Sequence, residues 1–299
     1  MKFKDLIAPI SQGDFRRLIV ERPEYKLWRS TMDMKKVFGW KDLEVILRQQ
    51  RINNTDVAVL RNGARISMQE TTEKTSRRFK VVNQLHSGKI AEILQNGGTI
   101  RIAHIDEKSD NLESIASEIE NVFGNEVNMN LYAGFGFTQA LPAHSDTHDI
   151  LVIQLEGRKS WQIFGFGADP YPIKLSENKK EICPSKLIWS GELEKGDLIF
   201  MPRGSWHQVK TVGNVSSLHV SIGFNYIMLH ELHLWLTKKL AKFPFHNKHL
   251  LEWDTGGDDA VEANVRSALN EILIPGFLSQ YRKDRKSSRI SRFNLTLPH

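Results

Sequence analysis

Between Gly124 and Tyr226 short apolar runs follow one another closely, each cut off by Gly, Pro or Asp: VNMNLYAG, DILVIQLEG, SWQIFGFG, KLIWSGELEKGD, LIFMPRG, WHQVKTVG and SLHVSIGFNY. Runs so closely spaced leave no room for crossover helices, and they predict an antiparallel sandwich or barrel. On either side the apolar period lengthens to that of a helix. KDLEVILRQQ (41–50) sets Leu43, Ile46 and Leu47 at helical spacing, and SGKIAEILQNGG (87–98) does the same with Ile90, Ile93 and Leu94 before Gly97 and Gly98 stop it. LESIASEIENVFG (112–124) carries an apolar stripe of Leu112, Ile115, Ile119, Val122 and Phe123, while DVAVLRNG (56–63) predicts a short strand entering an Asn-Gly turn. Past the barrel, Met228, Leu232, Trp235, Leu236 and Leu240 fall on one helical face, and residues 261–281 predict a further helix interrupted at Pro275. The stretch 282–293 is basic and poor in apolar residues, and reads as a flexible tail. Three regions are therefore expected: a mixed helical segment over 1–100 that packs on a barrel, the barrel over 101–227, and a helical region with a basic tail over 228–299.

Composition narrows the class. With 299 residues, 40% hydrophobic and 25% charged, the chain has the make-up of a folded globular protein. No apolar run approaches the roughly 20 residues that span a bilayer, and MKFKDLIAPISQGDF offers no secretory signal, so neither export nor a membrane is expected. A lone Cys183 excludes an intramolecular disulfide framework and any cysteine-built metal cluster, which suits a reducing, cytoplasmic setting. A bound metal must therefore be held by nitrogen and oxygen. The net charge of +6 is unevenly spread: residues 1–100 carry +8, residues 101–228 carry −5 and residues 229–299 carry +3. An acidic barrel favours a cationic side chain or peptide at its mouth, and the basic flanks admit contact with RNA, a ribosome or an acidic peptide.

The chemistry sits in ALPAHSDTHDILVIQLEGRKSW (140–161) and GDLIFMPRGSWH (196–207). Residues two apart on a strand share a face, so His144 and Asp146 present an imidazole and a carboxylate to one point. In the second segment a strand ends at a turn marked by Pro202 and Gly204, and His207 enters the next strand. Side by side in a small barrel, the two segments bring together two histidines and one carboxylate. That donor set occupies one face of a metal, leaves other positions open, and favours non-haem Fe(II). His148 continues the same stretch and reads as a neighbour at the rim rather than a ligand.

NMNLY (128–132), PAHSDTHDILVIQLEGRKSW (142–161), GDLIFMPRGSWHQV and SLHVSIGF together resemble the JmjC-type cupin oxygenases, especially the ribosomal-oxygenase group and its bacterial relatives. The resemblance implies a mainly β fold with flanking helices, a double-stranded β-helix of the cupin/JmjC jelly-roll kind. It implies Fe(II), 2-oxoglutarate as co-substrate, O2, and hydroxylation of an amino-acid side chain in a protein or peptide. Carried over, His144, Asp146 and His207 match the iron ligands, Lys159 the basic residue for the distal carboxylate of 2-oxoglutarate, and Tyr132 a co-substrate contact with Asn130 beside it. Its place 13 residues past Asp146, across one turn, lets Lys159 return to the cleft wall. Ser221 and His219 share one face of the strand after His207 and are expected to support the site through hydrogen bonds, while Gly223 stands where the family places a serine. Trp161, Trp206, Phe200 and Phe135 are expected to wall the cleft. The same fold also admits a small-molecule hydroxylase, a lysine demethylase or a non-catalytic cupin-like binding module, and the C-terminal helices a homodimer.

Overall fold

The computed structural model describes residues 1–48, 56–77, 80–136, 141–169, 183–213, 215–226, 229–243 and 257–288. Two compact units emerge, Met1–Tyr226 and Ile227–His299.

The strands of the first unit are β1 (Lys26–Arg29), β2 (Val57–Arg61), β3 (Ala64–Arg65), β4 (Thr72–Arg77), β5 (Lys80–Leu85), β6 (Thr99–Ile102), β7 (Glu126–Gly134), β8 (His144–Ser145), β9 (Asp149–Glu156), β10 (Arg158–Phe166), β11 (Trp189–Glu194), β12 (Asp197–Met201), β13 (Ser205–Thr211) and β14 (Ser217–Asn225). A large sheet runs β1-β12-β9-β14-β7-β6-β2-β3, a smaller one runs β11-β10-β13-β8, and β4 pairs with β5 in a separate hairpin. Every pairing is antiparallel, which gives the jelly roll that the closely spaced apolar runs predict.

Alternation along the strands separates two cores. On β7 the residues Val127, Met129, Leu131 and Ala133 join Leu151, Ile153, Val220 and Ile222 in the larger core, under α1 (Phe3–Leu6), α2 (Gln12–Glu21), α3 (Trp40–Arg48), α5 (Ser87–Gln95) and α6 (Asp110–Phe123), while α4 (Met68–Thr71) leads into β4. Phe15 sits at its centre, with ring centroids 5.4 Å from Phe3 and Phe200 and 5.6 Å from Phe224. Burying such a ring contributes roughly 1.5–3 kcal/mol. The opposite faces of β9 and β12 meet the small sheet through Ile150, Val152, Ile199, Met201, Trp161, Ile163 and Leu193, the second core. Between the two sheets lies the interior that carries the chemistry.

One hairpin sets the register of the polar residues there. Gly157 joins β9 to β10 at φ +64°, and a Cβ at that position would stand 2.0 Å from the Ser216 carbonyl oxygen, so only glycine fits. With the turn so tight, Lys159, Trp161 and Ile163 all point inward, as the alternating burial of β10 records.

The first hundred residues hold more strand than their sequence announces. β1 extends one edge of the large sheet on β12, and β6 and β2 extend the other on β7. These strands are short and their partners distant in sequence, so no local alternation marks them.

Leu229–Leu240 (α7), Gly257–Ile272 (α8) and Phe277–Ser288 (α9) are the helices of the second unit. The break expected at Pro275 falls between α8 and α9, where Gly276 takes φ +90°. Met228 and residues 289–293 lie outside the described residues. Residues 282–288, expected as part of a flexible tail, instead continue α9. Tyr281 packs edge-on against Trp235 at 5.4 Å, and Asp284 pairs with Lys239 at 2.6 Å, so the charged stretch has partners. Among the described residues no helix is long and apolar enough to cross a membrane.

Candidate metal centre

β8 and β13 are neighbours in the small sheet, with His144 opposite His207 in register. Strand pairing thus delivers the two imidazoles side by side, 4.4 Å between ring centroids. Asp146 follows just past β8, and the donor atoms of His144, Asp146 and His207 all lie within 4.8 Å of one another. The Nε2 of His207 stands 3.8 Å from an Asp146 oxygen. That separation is too wide for a hydrogen bond and within the span of two ligands that each sit about 2.1 Å from one ion.

Both rings are held in the tautomer a metal needs. The Nδ1 of His144 lies 2.9 Å from the Pro142 carbonyl and the Nδ1 of His207 lies 3.1 Å from the Ser205 carbonyl. A carbonyl oxygen only accepts, so each Nδ1 carries the hydrogen and each Nε2 presents its lone pair to the cluster. His207 is 4% exposed, and burial pushes its pKa down to about 4 against the opposing pull of Asp146. The imidazole is neutral at physiological pH, as ligation demands. Two imidazoles and a carboxylate on one face match the non-haem Fe(II) donor set.

Deeper between the sheets the walls are polar. Tyr132 on β7 stacks on His219 of β14, its register partner. The phenol's pKa is pushed up to about 12 by burial, although Arg101 on β6 hydrogen-bonds to it and opposes the shift. Asn130 lies two residues along the same face of β7 and pairs in register with Ser221. Lys159 is 2% exposed, and burial lowers its pKa to about 8. It forms no ion pair among the described residues, which leaves a buried cation whose stabilising anion has to come from elsewhere. His219 is held neutral, first by burial and then by the neighbouring Lys159. Most of the buried side-chain polar atoms without a partner among the described residues line this same interior: Thr99 Oγ1, Arg101 Nε, Asn128 Oδ1, Gln154 Oε1, Trp161 Nε1 and His219 Nδ1. Native proteins rarely leave such atoms unpaired, so their concentration on these walls calls for polar partners from outside the chain. A metal at the three donors and an anionic molecule reaching Lys159 fit the residues present.

Of the residues singled out from the sequence, His144, Asp146 and His207 form the donor cluster, Tyr132 and His219 stack beside Trp161, Asn130 and Ser221 oppose each other two residues along the same strand pair, and Lys159 is buried. His148 stands apart from that cluster, its ring against Gly223 and Asn128. Of the four aromatic residues expected to wall the cleft, Trp161 does so, its ring 5.9 Å from both His207 and His219. Phe200 belongs to the larger core instead, against Phe15, because its face of β12 turns away from the small sheet; Phe135, just past the end of β7, packs on Trp40 at the edge of that core, and the Trp206 ring lies against Gly167. Three contributors were not read from the sequence: Arg101, Thr99 and Gln154. The first two lie on β6 directly after the Gly97-Gly98 stop, a position where a strand resuming the sheet was the available signal.

Comparison with known proteins agrees with the fold. Residues 103–232 match the model of the JmjC domain family. Ribosomal oxygenase 1 of Danio rerio is 27% identical over 226 residues, covering 74% of this chain and 40% of that protein. The bifunctional lysine-specific demethylase and histidyl-hydroxylase NO66 of Drosophila erecta is 30% identical over 264 residues, covering 80% of this chain and 38% of the relative. The chain thus spans about two fifths of the length of these relatives. Among solved structures, the ribosomal oxygenase YcfD of Escherichia coli in complex with cobalt and 2-oxoglutarate shares the fold with a TM-score of 0.53 at 12% identity, over 90% of this chain and 69% of that one.

Proposed function

From the premise that residues 103–232 of this chain are a JmjC domain, we propose that the protein is an Fe(II)- and 2-oxoglutarate-dependent oxygenase that hydroxylates an amino-acid side chain in a protein or peptide. The observation that carries the reading is the cluster of His144, Asp146 and His207, with both Nδ1 atoms against backbone carbonyls, in the same unit as a buried Lys159 that forms no ion pair among the described residues. When bound, the iron supplies the activation of O2 that is coupled to decarboxylation of 2-oxoglutarate to succinate and CO2.

The chain's own part is to bind, orient and exclude water. His144, Asp146 and His207 hold the metal by three donors and leave the remaining positions open. Lys159 gives its ammonium to the distal carboxylate of 2-oxoglutarate, an interaction strengthened by the absence of water around it. Asn130 and Tyr132 contact the same molecule from β7, and Ser221 and His219 support them from β14. Trp161 covers the space between the metal cluster and His219 and keeps it dry. The acidic balance of residues 101–228 draws a cationic substrate segment to the mouth. The relatives' names, ribosomal oxygenase and histidyl-hydroxylase, make histidine-containing ribosomal peptides the first substrates to test.

The deciding experiment is succinate release with Fe(II), 2-oxoglutarate and O2 by wild type and His144→Ala, after anaerobic binding of Fe(II) and 2-oxoglutarate has been measured. Wild type is expected to bind both and His144→Ala to lose metal and turnover. No iron binding and no succinate from the wild type would sink the reading. Mass spectrometry of candidate peptides then distinguishes the gain of one oxygen atom from the loss of a methyl group.

Self-association through the C-terminal helices and a cytoplasmic setting belong to the same reading. Exposed Leu229 and Leu234 on α7 and Leu278 on α9 are its support for a homodimer. A monomer in light scattering removes that part.

A further inference from the structure

Three successive residues before His207 are each tied to a different part of the chain. The Arg203 N–H donates to Asp149 Oδ1 at 2.8 Å, the Gly204 N–H to the Asp146 carbonyl at 2.8 Å, and the Ser205 hydroxyl to the Glu24 carbonyl at 3.2 Å. The Arg203 carbonyl in turn accepts from Arg22 Nη2 at 2.9 Å. One peptide residue is therefore gripped from both sides, by a carboxylate on its N–H and by a guanidinium on its C=O.

Where the grips originate matters more than their number. Asp149 opens β9 three residues after Asp146, and Arg203 lies four residues before His207, so this hydrogen bond, beside that of Gly204 to Asp146, ties together the two arms that carry the donors. Asp149 is 3% exposed, and Arg22, Arg203 and Tyr226 face its carboxyl. Arg22 arrives from the N-terminal segment. It caps α2 in the left-handed region at φ 50°, and its guanidinium lies over the Phe166 ring at 5.3 Å. Neither residue is a donor to the cluster, and neither is absorbed by the proposed reaction.

We propose that Asp149 and Arg22 are positioning residues of the metal centre, which hold the 202–204 turn against the start of β9 and so set the spacing between Asp146 and His207. The proposal rests on the reading of His144, Asp146 and His207 as a metal site. Outer partners that orient metal ligands are worth about 10–100-fold in metal affinity, and removal of this clamp falls in that range.

Wild type, Asp149→Ala, Asp149→Asn, Arg22→Ala and the core control Ile222→Val are titrated with Co(II) under visible absorption, and their metal-free melting points are measured. Asp149→Ala is expected to weaken Co(II) binding at least about tenfold and to change the absorption spectrum. Asp149→Asn keeps an oxygen for the Arg203 N–H and restores most of the affinity and the wild-type spectrum. Arg22→Ala, which leaves Asp149 in place and provides the test should Asp149→Ala fail to fold, weakens binding and alters the spectrum in the same sense. Ile222→Val lowers the melting point and leaves affinity and spectrum as they are. Wild-type affinity and spectrum in Asp149→Ala, or in Arg22→Ala, would overturn the clamp while leaving the metal site standing. Absence of Co(II) binding by the wild type overturns both.

Discussion

Tyr132 and His219 lie ring on ring, their centroids 4.9 Å apart and their planes 8° from parallel, at opposed positions on β7 and β14. The stack joins the two central strands of the large sheet on the face that looks toward the metal donors. It also requires that His219 stay uncharged, since burial and the nearby Lys159 both penalise its protonation.

Acid should therefore destabilise the metal-free protein through its interior histidines. His207 and His219 both bind protons less readily folded than unfolded, so the unfolded chain takes up more protons as pH falls below the ordinary histidine value of about 6.5. Their contribution to stability is intact above that value and is lost as pH falls from 6.5 toward 4, the folded value of His207. Chemical denaturation at a series of pH values is expected to show stability falling over this window in the wild type, with a shallower fall in His219→Gln. An identical slope in the two proteins would contradict the assignment to His219.

Lys159 makes the opposite end of the pH scale informative. Its pKa is lowered to about 8, so a dicarboxylate meets a charged ammonium below that pH and a neutral amine above it. Isothermal titration with 2-oxoglutarate is expected to show affinity falling as pH rises through about 8. Ligand-free stability should move the other way and rise between about 8 and 10.5, because there the unfolded chain holds the proton that the folded one has lost. Lys159→Met, which removes the buried cation, should raise the ligand-free melting point and abolish both pH effects. A melting point lowered by Lys159→Met would mean that the charge has a partner in the folded protein.

Metal binding should appear as stabilisation. An ion that binds only the folded chain at about 100 times its dissociation constant adds roughly 2.7 kcal/mol. Co(II) is expected to raise the melting point of wild type and to leave that of Asp146→Ala unchanged. Equal shifts in the two proteins would place the ion elsewhere.

Gly223 leaves no room for a side chain. A Cβ there would stand 2.6 Å from Asn128 Oδ1 and 2.6 Å from the His148 ring. Gly223→Ala is expected to cost about 1–3 kcal/mol through overpacking. His148→Ala in the same chain should recover part of that loss, because the partly exposed ring is the neighbour able to leave. Strict additivity in this double-mutant cycle would show that the ring and the new methyl group never meet.

Much of the site was legible along the chain. The two-residue spacing of His144 and Asp146, the Pro202 and Gly204 turn before His207, and the 13 residues that carry Lys159 back across a hairpin are local features, and the structure brings these four residues to one interior. Of the eight strands from Glu126 to Asn225, all but the two-residue β8 also follow from local apolar runs punctuated by glycine and proline.

Tertiary structure alone decided which face of each strand looks inward. A period of two says that neighbours point apart, and only pairing register says where each set points. That is why Phe200 enters the larger core while Thr99, Arg101 and Gln154 are buried on the opposite face, and why Asp149 and Arg22, 127 residues apart in the chain, grip the same residue. Sequence thus determined the donors and the strands that present them, since both depend on spacings of a few residues. Distant backbone pairing, whose closure entropy no local pattern encodes, determined what surrounds them.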